Sequence, residues 1–144
     1  MNLFNQDYKY ASFKARLSAY ILDALALMIP IFIVYLLIRG HVPAHEKAIE
    51  FIADLFVSWI YYASMESSRF QGTLGKIAFG LKVTDMKGKR ISFFRASIRS
   101  LGQVISLFIL FIGYFMVLWD SRNQALHDKL AGCLVLEQLK EEFY

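Results

Sequence analysis

Two long apolar runs constrain this chain more than any other feature. From Leu17 to Ile38 the only charged residue is Asp23, and from Ser100 to Trp119 there is none. A helix that crosses a bilayer needs about 20 mainly apolar residues, because the hydrocarbon core is ~30 Å thick and each residue rises ~1.5 Å. Both runs reach that length. A third, Phe51 to Met65, is shorter and carries Asp54; extended back to Ala48 it suits a thin bilayer or a half-buried place in a bundle. Hydrophobic residues make up 57% of the chain, above the roughly 45–50% of soluble domains. The expected fold is an all-α integral membrane protein of one domain, with membrane segments over about 17–38, 48–65 and 100–119. The N-terminal run is too long for a secretory leader and lacks a small-residue cleavage pattern, so it reads as a retained signal-anchor helix.

Charge placement sets the expected topology. Lys and Arg number three in residues 1–16, two in 39–50, eight in 66–99 and three in 119–144. The positive-inside rule puts the N-terminus and the 66–99 loop in the cytosol and the 39–50 loop outside, in a cytoplasmic (inner) membrane. Two versions of the C-terminal third remain open. A single span over 100–119 leaves the 120–144 tail external; a re-entrant hairpin, interrupted at Gly102 and Gly113, returns it to the cytosol.

Small residues on the early turns of the first helix (Ala15, Ser18, Ala19, Ala24 and Ala26) predict close packing against another helix, and Pro30 predicts a kink. In the cytoplasmic loop, Thr73 is placed to cap a helix over Leu74–Phe79 that stops at Gly80. Leu81–Thr84 reads as a strand, Asp85–Gly88 as a turn with Gly88 left-handed, and Lys89–Ile91 as a returning strand, a small β-hairpin. Ser92 is placed to cap an amphipathic helix in which Phe93, Phe94, Ala96, Ile98 and Leu101 alternate with Arg95 and Arg99, suited to the membrane interface.

Asp23 is the residue with most chemistry in prospect. A carboxylate at the centre of a membrane helix costs at least ~2.5–3.5 kcal/mol, so it should meet a partner or water. Arg16, two turns earlier, is too far for direct i,i+4 pairing; a donor from another segment, or an ion or proton site, is expected. Asp54 shares a polar stripe with Ser58, Tyr61 and Tyr62, which either lines a hydrated path with Asp23 or simply sits at the external interface. The basic loop should attract anionic lipid headgroups, at ~1 kcal/mol per well-placed cation. Nucleic acid is not an expected partner, since no recognition motif accompanies the charge.

Other chemistries find little footing. His41, His45 and Glu46 offer too few ligands for zinc, with Pro43 between them. Gly72, Thr73, Gly75 and Lys76 superficially suggest a phosphate loop but lack its full pattern and preceding strand. Cys133 is the single cysteine, and no nucleophile has a recognisable elbow. No enzyme, cofactor or metal is expected.

Three blocks taken together resemble the RDD family of small membrane proteins, named for one arginine and two aspartates. FKARLSAYILD (13–23) is similar to the family's first block, with Arg16 and Asp23. QGTLGKIAFGLKVTD (71–85) resembles its central loop, and LHDKLAGCLV (126–135) its closing block, with Asp128 as the second aspartate. Cys133 stands where the family usually has Thr, and Asp54 matches no family motif. The resemblance implies a multi-helix domain with transport suggested and sodium/proton exchange in some members. It also implies pairing of Val83 with the Leu134–Leu136 strand, which needs the tail on the loop's side, and a charged cluster of Arg16, Asp23 and Asp128. That cluster would either fix the fold or hold a titratable proton. Two functions follow: a small, oligomeric, proton-coupled cation or small-solute transporter, or a non-catalytic membrane scaffold that binds a partner through the basic loop.

Overall fold

The structure, a computed structural model, describes residues 8–39, 47–109 and 112–139. The His41–Glu46 spacing weighed for zinc lies outside them, as does the end of the tail. Strand β1 (Tyr8–Tyr10) leads into α1 (Phe13–Arg39), followed by α2 (Lys47–Ser67), α3 (Leu74–Ala78), β2 (Leu81–Asp85), α4 (Phe93–Phe108), α5 (Ile112–Phe115), a 3-10 turn (Met116–Leu118), α6 (Leu126–Ala131) and β3 (Cys133–Gln138).

Two helices among the described residues are long and apolar enough to cross a membrane: Phe13–Leu37, with a mean hydropathy of 2.3, and Ala48–Ser67, with 1.2. Only 11% of either apolar window is buried inside the protein, unlike the core helix of a soluble domain. Exposed Leu25, Met28, Ile29, Phe32 and Ile33 on α1, and Phe51, Ile52 and Phe56 on α2, form the outward apolar surface that a bilayer would cover.

The third apolar segment is not one helix. After α4 the chain breaks and α5 folds back on it, so closely that a Cβ at Gly113 would stand 2.5 Å from Ser106 Oγ. α6 then packs across α4, where a Cβ on Gly102 would come within 2.9 Å of His127 Cβ. The 100–119 run is therefore a helical hairpin, and the single-span version fails. Two glycines permit the close approaches that a straight span would not need.

The expected β-hairpin is replaced by a three-stranded antiparallel sheet in the order β1-β3-β2. The turn forms as expected: Gly88 has φ 77°, and Asp85 N donates to Lys89 O at 2.8 Å. Only one bridge, Thr84 to Arg90, follows it. β2 pairs instead along its whole length with β3, Val83 opposite Val135 and Thr84 opposite Leu134. The two partners lie on opposite edges of β2, and burial explains why the β3 pairing is the longer: Cys133, Leu134, Val135 and Leu136 are all buried, whereas Lys89 and Arg90 remain exposed and add no apolar surface. On its other edge β3 pairs with β1, Tyr8 opposite Gln138 and Tyr10 opposite Leu136. One sheet thus ties together the N-terminal segment, the 66–99 loop and the tail.

The core beneath the sheet is small and mainly aliphatic, with Ala11, Ala19, Ala63, Leu81, Val83, Ile91, Ala96 and Val135 in contact. The small residues of α1 do admit a close neighbour, but it is α3 of the loop. A Cβ on Gly75 would lie 2.0 Å from Ala19 O. α1 continues through Pro30.

Candidate functional site

Asp23, on the third turn of α1, is 1% exposed and is held by the loop that follows α2. Its Oδ2 accepts from Thr73 Oγ1 at 2.5 Å. Its Oδ1 accepts from Gly75 N at 2.7 Å and from Tyr61 OH at 2.9 Å. Tyr61 OH in turn accepts from Leu74 N at 3.1 Å. Thr73 serves twice, as donor to Asp23 and as N-cap of α3, the capping role its sequence position predicts. Hydrogen bonds to charged groups contribute about 1.5–3 kcal/mol each, so three of them offset the cost of a carboxylate inside an apolar helix. The loop motif is thereby explained: Thr73 donates, Gly75 lets its backbone reach Asp23, and Gly72 lies tight against Leu81 O, 3.1 Å from where a Cβ would be.

Beside this latch runs a chain of alternating charge drawn from five elements. Arg16 of α1 donates from Nη1 to Asp128 Oδ2 of α6 at 2.5 Å, and from Nη2 to Asn123 O at 2.6 Å. Arg99 of α4 donates from Nε to Asp128 Oδ1 at 2.8 Å, and from Nη1 to Glu66 Oε1 at the end of α2. Lys76 of α3 also donates to Glu66 Oε1. Glu66 and Asp128 are fully buried, and Arg99 is 2% exposed. Burial acts to raise the Asp128 carboxyl, but Arg16 and Arg99 outweigh it and hold the group well below the usual carboxylate range. Burial lowers the Lys76 ammonium, against the opposing pull of Glu66. With Asp23 included, three cations (Arg16, Lys76, Arg99) meet three carboxylates (Asp23, Glu66, Asp128), so the buried set is electrically balanced.

The structure brings Arg16 and Asp128 together as the resemblance implies. Asp23 joins them at one remove, through Thr73 and the short helix that carries Lys76. Asp54 does not join: it lines a separate depression between α1 and α2, with Ala24, Met28, Ile31, Phe32 and Tyr35. Neither Glu66 nor Arg99 is expected in a site from the sequence: Glu66 counts as a loop residue, and Arg99 as part of the polar face of an interfacial helix. A signal was present for each. Glu66 is the only carboxylate between Asp54 and Asp85, and Arg99 immediately precedes the uncharged run that begins at Ser100.

A cavity of about 460 Å³ opens over this network, between the first turns of α1 and the α4–α5 hairpin. Its polar floor is Arg16, Asp23, Lys76, Arg99 and His127, and its walls include Phe13, Leu17, Tyr20, Tyr62, Tyr114 and Phe115. Phe13 and Phe115 stack with ring centroids 5.6 Å apart. His127 packs on Tyr114 at 5.1 Å, with Nε2 3.6 Å from Asp128 Oδ1. Burial lowers its pKa to about 3, so the imidazole is neutral, and its buried Nδ1 has no hydrogen-bond partner among the described residues. No group of His, Cys, Asp and Glu among the described residues could hold a metal ion.

No solved structure matches the chain. Among curated proteins, it is 27% identical over 140 residues to "Uncharacterized protein YxaI" of Bacillus subtilis (strain 168), covering 83% of this chain and 92% of that protein. It is 30% identical over 87 residues to "Uncharacterized protein RP437" of Rickettsia prowazekii (strain Madrid E), covering 60% of this chain but only 44% of that longer protein. The RDD family model matches residues 10–132, a stretch that holds Arg16, Asp23, Asp128 and every other member of the buried charge set. This chain belongs to the RDD family.

Proposed function

We propose that this chain is a multi-pass protein of the cytoplasmic membrane that works as an oligomer to move a small solute or cation, coupled to protons, through the cavity above the charge network. The observation that carries this reading is the cavity itself, about 460 Å³ of space with a charged floor and aromatic walls, within the size range of small-molecule sites. The cation-rich loop, with eight of the chain's sixteen Lys and Arg, favours the cytosol for the face that carries the sheet. Two long helices do not enclose a path by themselves, and their exposed apolar faces leave room for a second copy.

Asp23 supplies the coupling in this reading. It accepts three hydrogen bonds, and a protonated carboxyl has less acceptor capacity. Proton uptake would loosen α3 and move Lys76, which forms part of the cavity floor. The anionic-lipid affinity expected of the basic loop orients the same face toward the inner leaflet.

Proton flux in vesicles tests the proposal, with purified wild type compared against Asp23→Asn under gradients of Na⁺, K⁺ and Li⁺. Flux in wild type that is lost in a folded Asp23→Asn supports proton-coupled transport. Absence of flux with all three cations removes the exchanger reading. The scaffold reading would then lead, favoured by the complete hydrogen-bonding of Asp23, which a purely structural latch also requires.

A further inference from the structure

We propose that the cavity holds the headgroup of a membrane amphiphile: a monoanionic phosphodiester lipid bearing a free hydroxyl, with its chains lying along the aromatic wall. The inference rests on the reading of the cavity as a ligand site and names an anionic occupant for it, which favours the small-solute over the cation form of that reading. Charge is the first argument. All three cations of the network line the cavity, but only one of its three carboxylates does; Glu66 and Asp128 are fully buried behind the floor. The surface presented to a ligand is therefore positive although the set as a whole is balanced.

Spare donors are the second. Arg99 uses Nε and Nη1 on carboxylates, leaving Nη2 with no acceptor among the described residues. Lys76 has three N–H groups and uses one on Glu66. A phosphodiester offers two unesterified oxygens for such donors, and Arg and Lys are the side chains that recognise them. Arg16, by contrast, already donates from all three nitrogens, to Asp128, Asn123 and Ala11, and adds charge to the floor without a spare nitrogen.

His127 gives the third and most specific argument. Its Nε2 lies 3.6 Å from Asp128 Oδ1, too far for a hydrogen bond. The carboxylate still disfavours a lone pair on that side, so the ring proton belongs on Nε2 and Nδ1 is the acceptor. That nitrogen is buried and unpartnered on a residue that lines the cavity. Buried acceptors normally have partners, so a hydroxyl on the ligand would complete what the fold leaves open. Finally, the way out of the cavity is apolar. Leu17, Tyr20 and Phe115 line it and are 46%, 51% and 45% exposed, continuous with the outward surface of α1. A free anion has no use for such a wall; an acyl chain does.

The test is equilibrium binding to the full-length chain, purified in neutral detergent. Probes are phosphatidylglycerol, phosphatidylmethanol (the same charge without the hydroxyl), phosphatidylcholine and glycerol 3-phosphate, compared in wild type, Leu17→Trp and His127→Phe. Phosphatidylglycerol should bind wild type about tenfold more tightly than phosphatidylcholine, the equivalent of one or two well-placed cations. Phosphatidylmethanol should fall between them in wild type and match phosphatidylglycerol in His127→Phe, whose thermal midpoint at neutral pH should be unchanged or raised. Leu17→Trp, which fills the wall without touching the network, should abolish the selectivity.

Equal binding of phosphatidylglycerol and phosphatidylcholine overturns the proposal, as does selectivity that neither variant changes. Glycerol 3-phosphate binding as tightly as the whole lipid would make the occupant a soluble anion and also overturn it. Vesicle flux is a separate readout: selective lipid binding without cation flux sinks only the transport reading, and flux without lipid selectivity sinks only this one.

Discussion

Glu66→Gln perturbs the network at its most loaded point, since a single oxygen of Glu66 accepts from both Arg99 and Lys76. The substitution keeps shape but removes one of three negative charges, leaving three cations to two carboxylates and Lys76 and Arg99 without their shared partner. Removing one partner of a buried ion pair typically costs about 3–5 kcal/mol. At this chain length that corresponds to a fall in thermal midpoint on the order of 10 °C. Lys76 provides partial relief. Burial already lowers its pKa in the presence of Glu66, and without that carboxylate the folded state sheds the proton more readily. The unfolded chain keeps it until about pH 10.4, so the unfolded state binds more protons on the alkaline side and stability rises with pH. The deficit of Glu66→Gln should therefore narrow between neutral pH and pH 10. Removing the surplus cation as well, in Glu66→Gln with Lys76→Met, should recover about 1–2 kcal/mol relative to additivity. The assay is thermal unfolding in detergent across pH, read by near-ultraviolet circular dichroism. A Glu66→Gln loss within about 0.5 kcal/mol, or strict additivity in the double variant, would refute a charge-balanced buried network.

Other predictions test neighbouring parts of the account. Gly75→Ala drives a Cβ to 2.0 Å from Ala19 O and 2.9 Å from Asp23 Cγ; backbone cannot yield there, so at least about 3 kcal/mol should be lost. Gly113→Ala meets side chains, Ser106 Oγ at 2.5 Å, Ser106 Cβ at 2.7 Å and Leu126 Cβ at 3.2 Å. It should cost less in the same unfolding assay, and Ser106→Gly, which removes both Ser106 contacts, should recover more than Ser106→Ala, which removes only one. Acid titration of wild-type stability should show two losses. His127 is neutral and buried with a pKa near 3, against about 6.5 unfolded, so its contribution is whole above pH 6.5 and falls by up to about 1.4 kcal/mol per pH unit below it. Asp128, held low by Arg16 and Arg99, contributes above its unfolded pKa of about 3.9 and is lost below it. His127→Phe should abolish the first loss and leave the second. Asp54→Asn, remote from the network, should change stability by no more than about 0.5 kcal/mol.

What could be read in the sequence divides by range. Local signals held: Thr73 and Ser92 cap their helices, Gly80 and Gly88 adopt positive φ, and the two long helices fall on the 17–38 and 48–65 segments, whereas the equally apolar 100–119 run is broken. Those features depend on a few adjacent residues. Pairing of Val83 with the tail, and of Arg16 with Asp128, was legible only through family resemblance, since their sequence separation carries no periodic signal. The three-residue strand Tyr8–Tyr10 is too short to show alternation and exists because β3 has a free edge. Lys89–Ile91 contributes only the Thr84–Arg90 bridge on the edge of β2 away from β3, where exposed Lys89 and Arg90 add no apolar burial to extend the pairing. Glu66 reads as an ordinary loop charge and Arg99 as the polar face of an interfacial helix, because whether a charge is solvated or buried is decided by which distant element covers it.

Cross-strand capture in intact membranes tests the central claim most directly: that the N-terminal segment, the 66–99 loop and the tail meet on one side of the membrane over the charge network. Lys9 and Glu137 are register partners in β1 and β3 with an ion pair at 3.4 Å. With Cys133→Thr as background, Lys9→Cys and Glu137→Cys should cross-link through a short, membrane-permeant bis-maleimide, and both should stay unlabelled by an impermeant maleimide added to whole cells. External labelling at position 137 with no cross-link to position 9 would put the tail on the far side. That result would contradict the sheet, the Arg16–Asp128 pair and the cavity together.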